Sequence, residues 1–268
     1  MKIIRFINAQ NGVSLGCDYR DSTASLLEGD MYASLKDTGK RIPVKKLLSP
    51  IIPINIMCIG LNYHEHARET GMEVPRYPAL FMKNIAALNH PEEPIQIPRC
   101  CMNKPEVDFE MELAVVIGKA AKDVPEDRAL DYVAGYTVGN DVSARRWQAH
   151  AGSKQWVRGK SYDTFCPIGP CLVTPDEIKD PQQLELVCRL NGEVMQQAST
   201  ADMIFSVAQI IAYLSQDTTL RPGTLILTGT PAGVGFTRNP PVYLKQGDRM
   251  EMEIDRIGTL VNPVIDAP

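Results

Sequence analysis

Residues 108–119 read DFEMELAVVIGK, with acids at alternate positions running straight into a stretch that carries no charge until Lys119. Side chains alternate faces along a strand. Asp108, Glu110 and Glu112 therefore share one face, and Phe109, Met111, Leu113, Val115 and Ile117 share the other. The acidic face continues as Ala114 and Val116, which places carboxylates at the edge of core. Residues 249–256, RMEMEIDR, show the ordinary version: Glu251, Glu253 and Asp255 alternate with Met250, Met252 and Ile254, and charge persists to Arg256. That is a half-buried strand with a solvated face. A carboxylate taken out of water neutralises or finds a cation, because the penalty is several kcal/mol. Carboxylate oxygens are hard ligands suited to Mg²⁺, Mn²⁺ or Ca²⁺, and two acids at i and i+2 can reach one ion from the same strand.

The chain has 268 residues and a formal net charge of −4. That length fits one large domain, or a large one with a small appendage. An acidic balance with no basic run argues against nucleic acid as a partner. Seven cysteines, with no CxxC pair, fit free structural thiols in a reducing compartment. No apolar stretch is long enough to span a bilayer, so no membrane partner is expected. The N-terminal stretch lacks the apolar run of a signal peptide and the Arg/Ser-rich character of a presequence. The cytoplasm is the expected compartment.

Residues 1–53 read as a small N-terminal unit: a hairpin turning at Asn11-Gly12, an apolar turn near Ser25-Leu26-Leu27, and the segment RIPVKKLLSP. Pro50 and Pro53 mark the boundary to a second unit, 54–268. There 54–61, 113–119, 133–142 and 224–229 read as buried strands, and 184–196 as a hairpin turning at Asn191-Gly192. Residues 201–216 read as a helix, with Met203, Ile204, Val207, Ile210, Ile211 and Leu214 in one apolar stripe. The expected class is α+β and strand-rich, with a largely antiparallel core.

Several residues extend the acidic pair toward a site. Asp141 ends an apolar strand, although Asn-Asp-x-Ser is also good helix-capping chemistry. His66 and Glu69 share a face if 60–69 is helical. A carboxylate beside a histidine orients the ring and raises its basicity. A solvated helix face gives the same pattern. Lys160 lies in a short Gly-flanked segment and is either an oxyanion stabiliser or a snorkelling lysine. TGTPAGVG at 228–235 is a backbone-rich loop with Thr230 available, and it matches no phosphate-binding motif.

Six stretches, in order, resemble the fumarylacetoacetate hydrolase superfamily: GLNYHEHARE, VDFEMELAVVIGK, GYTVGNDVSARRWQ, GKSYDTFCPIGP, NGEVMQ and LTGTPAGVG. They span most of 54–262. The resemblance implies the family's mixed β-roll/β-sandwich and a homodimer. It implies Glu110, Glu112 and Asp141 as ligands of Mg²⁺ or Mn²⁺, with Ca²⁺ able to replace them in crystals. It further implies His66–Glu69 as a water-activating dyad on a lid, Lys160 as the active-site lysine, and Arg145, Gln148 and Thr230 as substrate contacts. Arg146 departs from the family's usual acid at that place, and reads as a surface change. The implied substrate is a small 2-oxo or β-diketo acid, processed through an enolate stabilised by the ion. Hydrolytic C–C cleavage of an acylpyruvate is the expected reaction. Oxaloacetate keto–enol tautomerisation and oxaloacetate decarboxylation are the alternatives, and a scaffold that has lost activity is the alternative of another class.

Overall fold

The computed structural model describes residues 1–101, 103–149 and 154–268. Among these residues two large sheets carry the fold, one of eleven strands and one of five, with a two-stranded ribbon between Val107–Asp108 and Ser143–Ala144. This is the strand-rich α+β architecture expected. At the centre of the larger sheet, Met111–Ile117 is antiparallel to Val133–Asn140 on one side and to Thr224–Leu227 on the other. All seven residues of Met111–Ile117 are buried, so the strand is covered on both faces. Thr224–Leu227 then runs parallel to Asn55–Gly60, and Ala79–Lys83 closes that edge.

The N-terminal strands join the same sheet where Lys2 and Ile3 pair with Val173 and Leu172. The segment near Leu26 is not a turn but part of the strand Thr23–Asp30, and RIPVKKLL lies within the long strand Ser34–Leu48. Leu27 and Val44 bury into the core, which gives each of those strands an apolar face. The hairpin at Asn191-Gly192 forms as read: φ is positive at both residues, as a two-residue type I′ turn requires.

The helix expected over 201–216 is shorter. Helix α4 spans Val207–Leu214, with Ser206 and Gln209 forming a capping box at its start. The preceding backbone is taken elsewhere: Ile204 N donates to Asn62 O (2.9 Å) and Phe205 N to Asn62 Oδ1 (2.8 Å). Tyr63 makes an antiparallel bridge to Met203. Those contacts carry the amides of 204–205 to another segment, and the helix begins only after them.

Asn62 is fully buried, and its amide also donates to Phe205 O (3.0 Å) and Thr228 O (2.7 Å). It thereby ties three segments to the point where helix α1, His64–Thr70, leaves the sheet. Asn62→Ala leaves buried carbonyls and an amide without partners, and should cost about 3 kcal/mol in urea unfolding.

Candidate metal centre and active site

The acidic run does not continue as one strand. Strand pairing lapses at Phe109 and Glu110, because side-chain oxygens take the backbone amides that a ladder would use. Phe109 N donates to Asp108 Oδ1 (2.8 Å), Glu110 N to Asn140 Oδ1 (3.1 Å) and Met111 N to Gln196 Oε1 (3.0 Å). Regular pairing resumes at Met111. The consequence is a division of labour among the acids. Glu110 and Glu112 join Asp141, with one oxygen from each lying within 4.8 Å of the others. Asp108 instead accepts from the amides of Gly235 (2.8 Å) and Phe236 (3.0 Å) and from the Arg145 guanidinium.

Three cations thread through these carboxylates. Arg145 Nη2 lies 2.8 Å from Asp108 and its Nη1 donates to Glu110 (2.5 Å). Lys160 Nζ donates to Glu110 (3.0 Å), Asp141 (2.6 Å) and Ser143 Oγ (2.7 Å). Lys83 Nζ donates to the other oxygen of Asp141 (2.6 Å) and to Val142 O. The order is Asp108, Arg145, Glu110, Lys160, Asp141, Lys83, alternating in sign and buried throughout. Glu112 is the acid left without a cation among the described ion pairs. Its partner is the amide of Gly229 (2.6 Å).

The titration shifts follow from that chain. Burial works against ionisation of Glu110, but Lys160 and Arg145 outweigh it and lower its pKa to about 2. Burial also opposes the charge of Lys160, yet Asp141 and Glu110 raise its pKa above the ordinary lysine value. Glu112 goes the other way: burial first, then Asp141 and Glu110, push it well above the usual carboxylate range. A buried carboxylate that lacks compensation, beside two that are paired with cations, is the condition a divalent cation relieves. The donor set, all carboxylate oxygen, fits Mg²⁺ or Mn²⁺.

Gly229 is required for this arrangement, since its φ is +100° and a Cβ would stand 2.6 Å from that of Asn62. Gln196, on the hairpin after Asn191-Gly192, braces the same loop by donating to Thr230 Oγ1 and Pro231 O, each at 2.8 Å.

In front of the carboxylates lies a cleft of about 410 Å³, lined by His66, Glu110, Arg145, Gln148, Lys160 and Thr230. Leu61, Met72, Phe81, Trp156 and Phe236 line it as well, with Phe81 packed on Lys160 and Phe236 on Arg145. That volume suits a small molecule. His66 and Glu69 meet on one face of α1, Nδ1 to Oε2 at 3.0 Å, so Nε2 is the ring nitrogen left for the cleft. Each residue expected at the site is therefore found in or beside one cavity. Arg145 is largely committed to Asp108, Glu110 and Gln148. Arg146 is exposed, in keeping with a surface change.

Lys83, Asn140, Ser143 and Gln196 escaped the sequence reading. For Lys83 a signal was present: in Ala79–Lys83, Phe81 and Lys83 are buried while Leu80 and Met82 are exposed. A lysine in phase with a buried phenylalanine marks a buried charge.

A strand-rich fold with carboxylates buried behind a small-molecule cleft is the architecture of the fumarylacetoacetate hydrolase superfamily. Residues 55–265 match the family described as fumarylacetoacetate (FAA) hydrolase C-terminal, and the chain belongs to this family of enzymes. The chain is 49% identical over 220 residues to the mitochondrial oxaloacetate tautomerase fahd2 of Xenopus laevis, covering 82% of this chain and 68% of that one. It is equally similar, 49% over 237 residues, to the fumarylacetoacetate hydrolase domain-containing protein 2 homolog of Dictyostelium discoideum, covering 84% and 77%. Among solved structures, a 2-hydroxyhepta-2,4-diene-1,7-dioate isomerase of Mycobacterium marinum matches with TM-score 0.84 and 39% identity, covering 99% and 98%. The fumarylacetoacetate hydrolase of Exiguobacterium antarcticum matches with TM-score 0.87 and 33% identity over the whole of both chains.

Two substitutions test the charge chain. Glu112→Gln should make the chelated protein more stable than wild type near neutral pH, because the wild-type carboxyl ionises freely when unfolded but is driven toward its neutral form when folded. The raised pKa means that wild type loses stability relative to this variant as pH rises above the ordinary value of 4.5. Addition of Mg²⁺ or Mn²⁺ should raise the melting temperature of wild type and not of the variant. Lys83→Met strands one oxygen of a buried aspartate and should cost about 3–5 kcal/mol in chemical denaturation.

Proposed function

We propose that the protein is a divalent-metal-dependent oxaloacetate keto–enol tautomerase, with the chemistry carried by residues 54–268. The observation that carries this reading is the His66 ring, fixed by Glu69 at Nδ1 and open to the cleft at Nε2, beside a buried carboxylate triad. Relatives named oxaloacetate tautomerase, at 45–49% identity, support this reaction over the hydrolytic cleavage that the family resemblance led us to expect. The Mycobacterium marinum isomerase supports the same class, since its named compound is the enol of a 2-oxo acid.

Glu110, Glu112 and Asp141 would hold Mg²⁺ or Mn²⁺. The ion supplies Lewis acidity toward a chelating 2-oxo acid when bound. The rest is the work of this chain's side chains. With the Nδ1 proton donated to Glu69, His66 accepts the C3 proton at Nε2, and the Glu69 carboxylate stabilises the resulting imidazolium. The imidazolium then gives its Nε2 proton to the C2 oxygen, which completes the enol and regenerates neutral His66, and the reverse steps restore the ketone. Lys160 keeps a positive charge at the cleft wall, where negative charge develops on the C2 oxygen. Gln148, Thr230 and the remaining donor capacity of Arg145 orient the substrate's carboxylates.

Homodimerisation belongs to the same proposal. Leu80 and Met82 support it, being 47% and 40% exposed on the edge strand of the larger sheet. No described helix is long and apolar enough to cross a membrane. The cytoplasmic expectation gains no support from relatives whose names include the word mitochondrial.

Chelated protein resupplied with Mg²⁺ should accelerate enol–keto exchange of oxaloacetate in NMR spectra, with no pyruvate formed above the metal-only control. His66→Gln should slow that exchange about 10²–10⁴-fold. Pyruvate from oxaloacetate would instead identify a decarboxylase, and acetate from acetylpyruvate a hydrolase.

A further inference from the structure

The loop 229–237 is not a phosphate cradle, but its donors are nonetheless used on anions. The amide of Gly229 binds Glu112, those of Gly235 and Phe236 bind Asp108, and that of Gly233 binds Glu69 Oε1 (2.9 Å). The Thr237 hydroxyl lies 2.7 Å from the same Glu69 oxygen and 2.8 Å from Val234 O, and its single proton goes to the carboxylate, the stronger acceptor. Three carboxylates, two from residues 108–112 and one from helix α1, are thus set by one stretch of chain. Gly233 sits at φ +101°, where a Cβ would come within 2.2 Å of Met195 O, so the loop has little freedom to move its amide away. The Arg238 guanidinium is spent on the carbonyls of Met195 (2.6 Å) and Gly233 (3.3 Å), which ties the loop to the neighbouring hairpin.

The geometry points to Thr237, with the Gly233 amide, as a positioning element that fixes the Glu69 carboxylate and through it the orientation of His66. Glu69 has two oxygens with separate tasks: Oε2 faces the His66 ring, and Oε1 is held by the loop. A carboxylate anchored at one oxygen cannot rotate freely about its terminal torsion, so the other oxygen stays on Nδ1. Helix α1 is anchored at its opposite end as well, where Glu65 N donates to Asp202 (3.1 Å). The loop contact therefore sets the last turn of α1, the turn that carries Glu69. Burial tends to raise the pKa of Glu69, but hydrogen bonds from His66, Thr237 and Gly233 outweigh it and hold it below the ordinary carboxylate value. The loop contacts thus keep the dyad's acid ionised as well as aligned.

This inference rests on the dyad reading above, and a double-mutant cycle separates the two. Thr237→Val removes the hydroxyl while keeping the shape; Thr237→Ser restores it. The Gly233 amide remains in both, so kcat for oxaloacetate tautomerisation should fall about 5- to 10-fold in Thr237→Val, as for loss of one hydrogen bond to a charged group. KM should stay within twofold on the order of experimental error, and Thr237→Ser should recover most of the loss. In a Glu69→Gln background, Thr237→Val should cause less than about a twofold further change, since groups acting through one another are not additive. Circular dichroism and thermal unfolding confirm that each variant is folded, with Thr237→Ala replacing Thr237→Val if the latter is not. A Thr237→Val enzyme with wild-type kcat overturns the positioning role and leaves the dyad reading standing, as does an equal loss with and without Glu69. Unchanged turnover in Glu69→Gln alone overturns both.

Discussion

The structure is organised around a buried row of alternating charges, Asp108, Arg145, Glu110, Lys160, Asp141 and Lys83. Ions so far from water are tolerated only when each has close partners of opposite sign and its remaining valences are met by hydrogen bonds. That condition dictates much of the surrounding fold. Lys83 must come from the edge strand, Lys160 and Arg145 from the short helices α3 (Trp156–Lys160) and α2 (Arg145–Ala149), Asp108 from the ribbon, and Glu110 and Asp141 from the ends of the two central strands Met111–Ile117 and Val133–Asn140. Segments remote in sequence are thereby fixed in register around one point. The row balances itself, and Glu112 is the surplus. A protein built only for stability would have no use for a further acid there, because an uncompensated buried carboxylate destabilises the folded state.

The backbone around the row serves the same end. Where regular pairing would have consumed the amides of residues 109–111, side chains of Asp108, Asn140 and Gln196 take them instead. The chain can then turn Asp108 toward the loop 229–237 and Glu110 toward Asp141, although the two acids are only two residues apart. Strand alternation alone would have given both the same surroundings. The local break in pairing is what makes one of them the anchor of Arg145 and the other a member of the triad.

This explains what the sequence could and could not disclose. Glu110 and Glu112 were legible because an uncharged run follows them, and because RMEMEIDR supplies a contrasting strand in the same chain. His66 and Glu69 were legible because their spacing brings them together on any helix. The Asn191-Gly192 hairpin was legible from turn chemistry. Asp141 needed the family pattern, since its local signal is equally that of a cap. The separation of Asp108 from its neighbours was not legible, because it depends on Asn140 and Gln196 arriving from distant strands. The early start assigned to α4 failed for a similar reason: Met203 and Ile204 continue an apolar stripe, but Asn62 captures the backbone at 204 and 205. Propensity and periodicity describe a segment in isolation, and here tertiary hydrogen bonds decide.

The same distinction bears on the reaction. A triad of carboxylates that presents a cation to a 2-oxo acid serves proton transfer, decarboxylation and hydrolysis alike, so the ligand set carries no information about the outcome. The three differ in what stands beside His66 Nε2 when the substrate is bound: the substrate's own C3 proton, no acid or base at all, or a water molecule. Met72, Trp156 and Phe236 line the cleft beside these polar groups, with the Phe236 ring 4.4 Å from the Arg145 guanidinium. An apolar wall gives a water molecule few partners, and a water in such a place needs two or more hydrogen bonds to stay. Acids that identify the family so clearly therefore leave the reaction open, and the His66–Glu69 pair, which serves proton abstraction and water activation alike, leaves it to the identity of the relatives to weigh in choosing it.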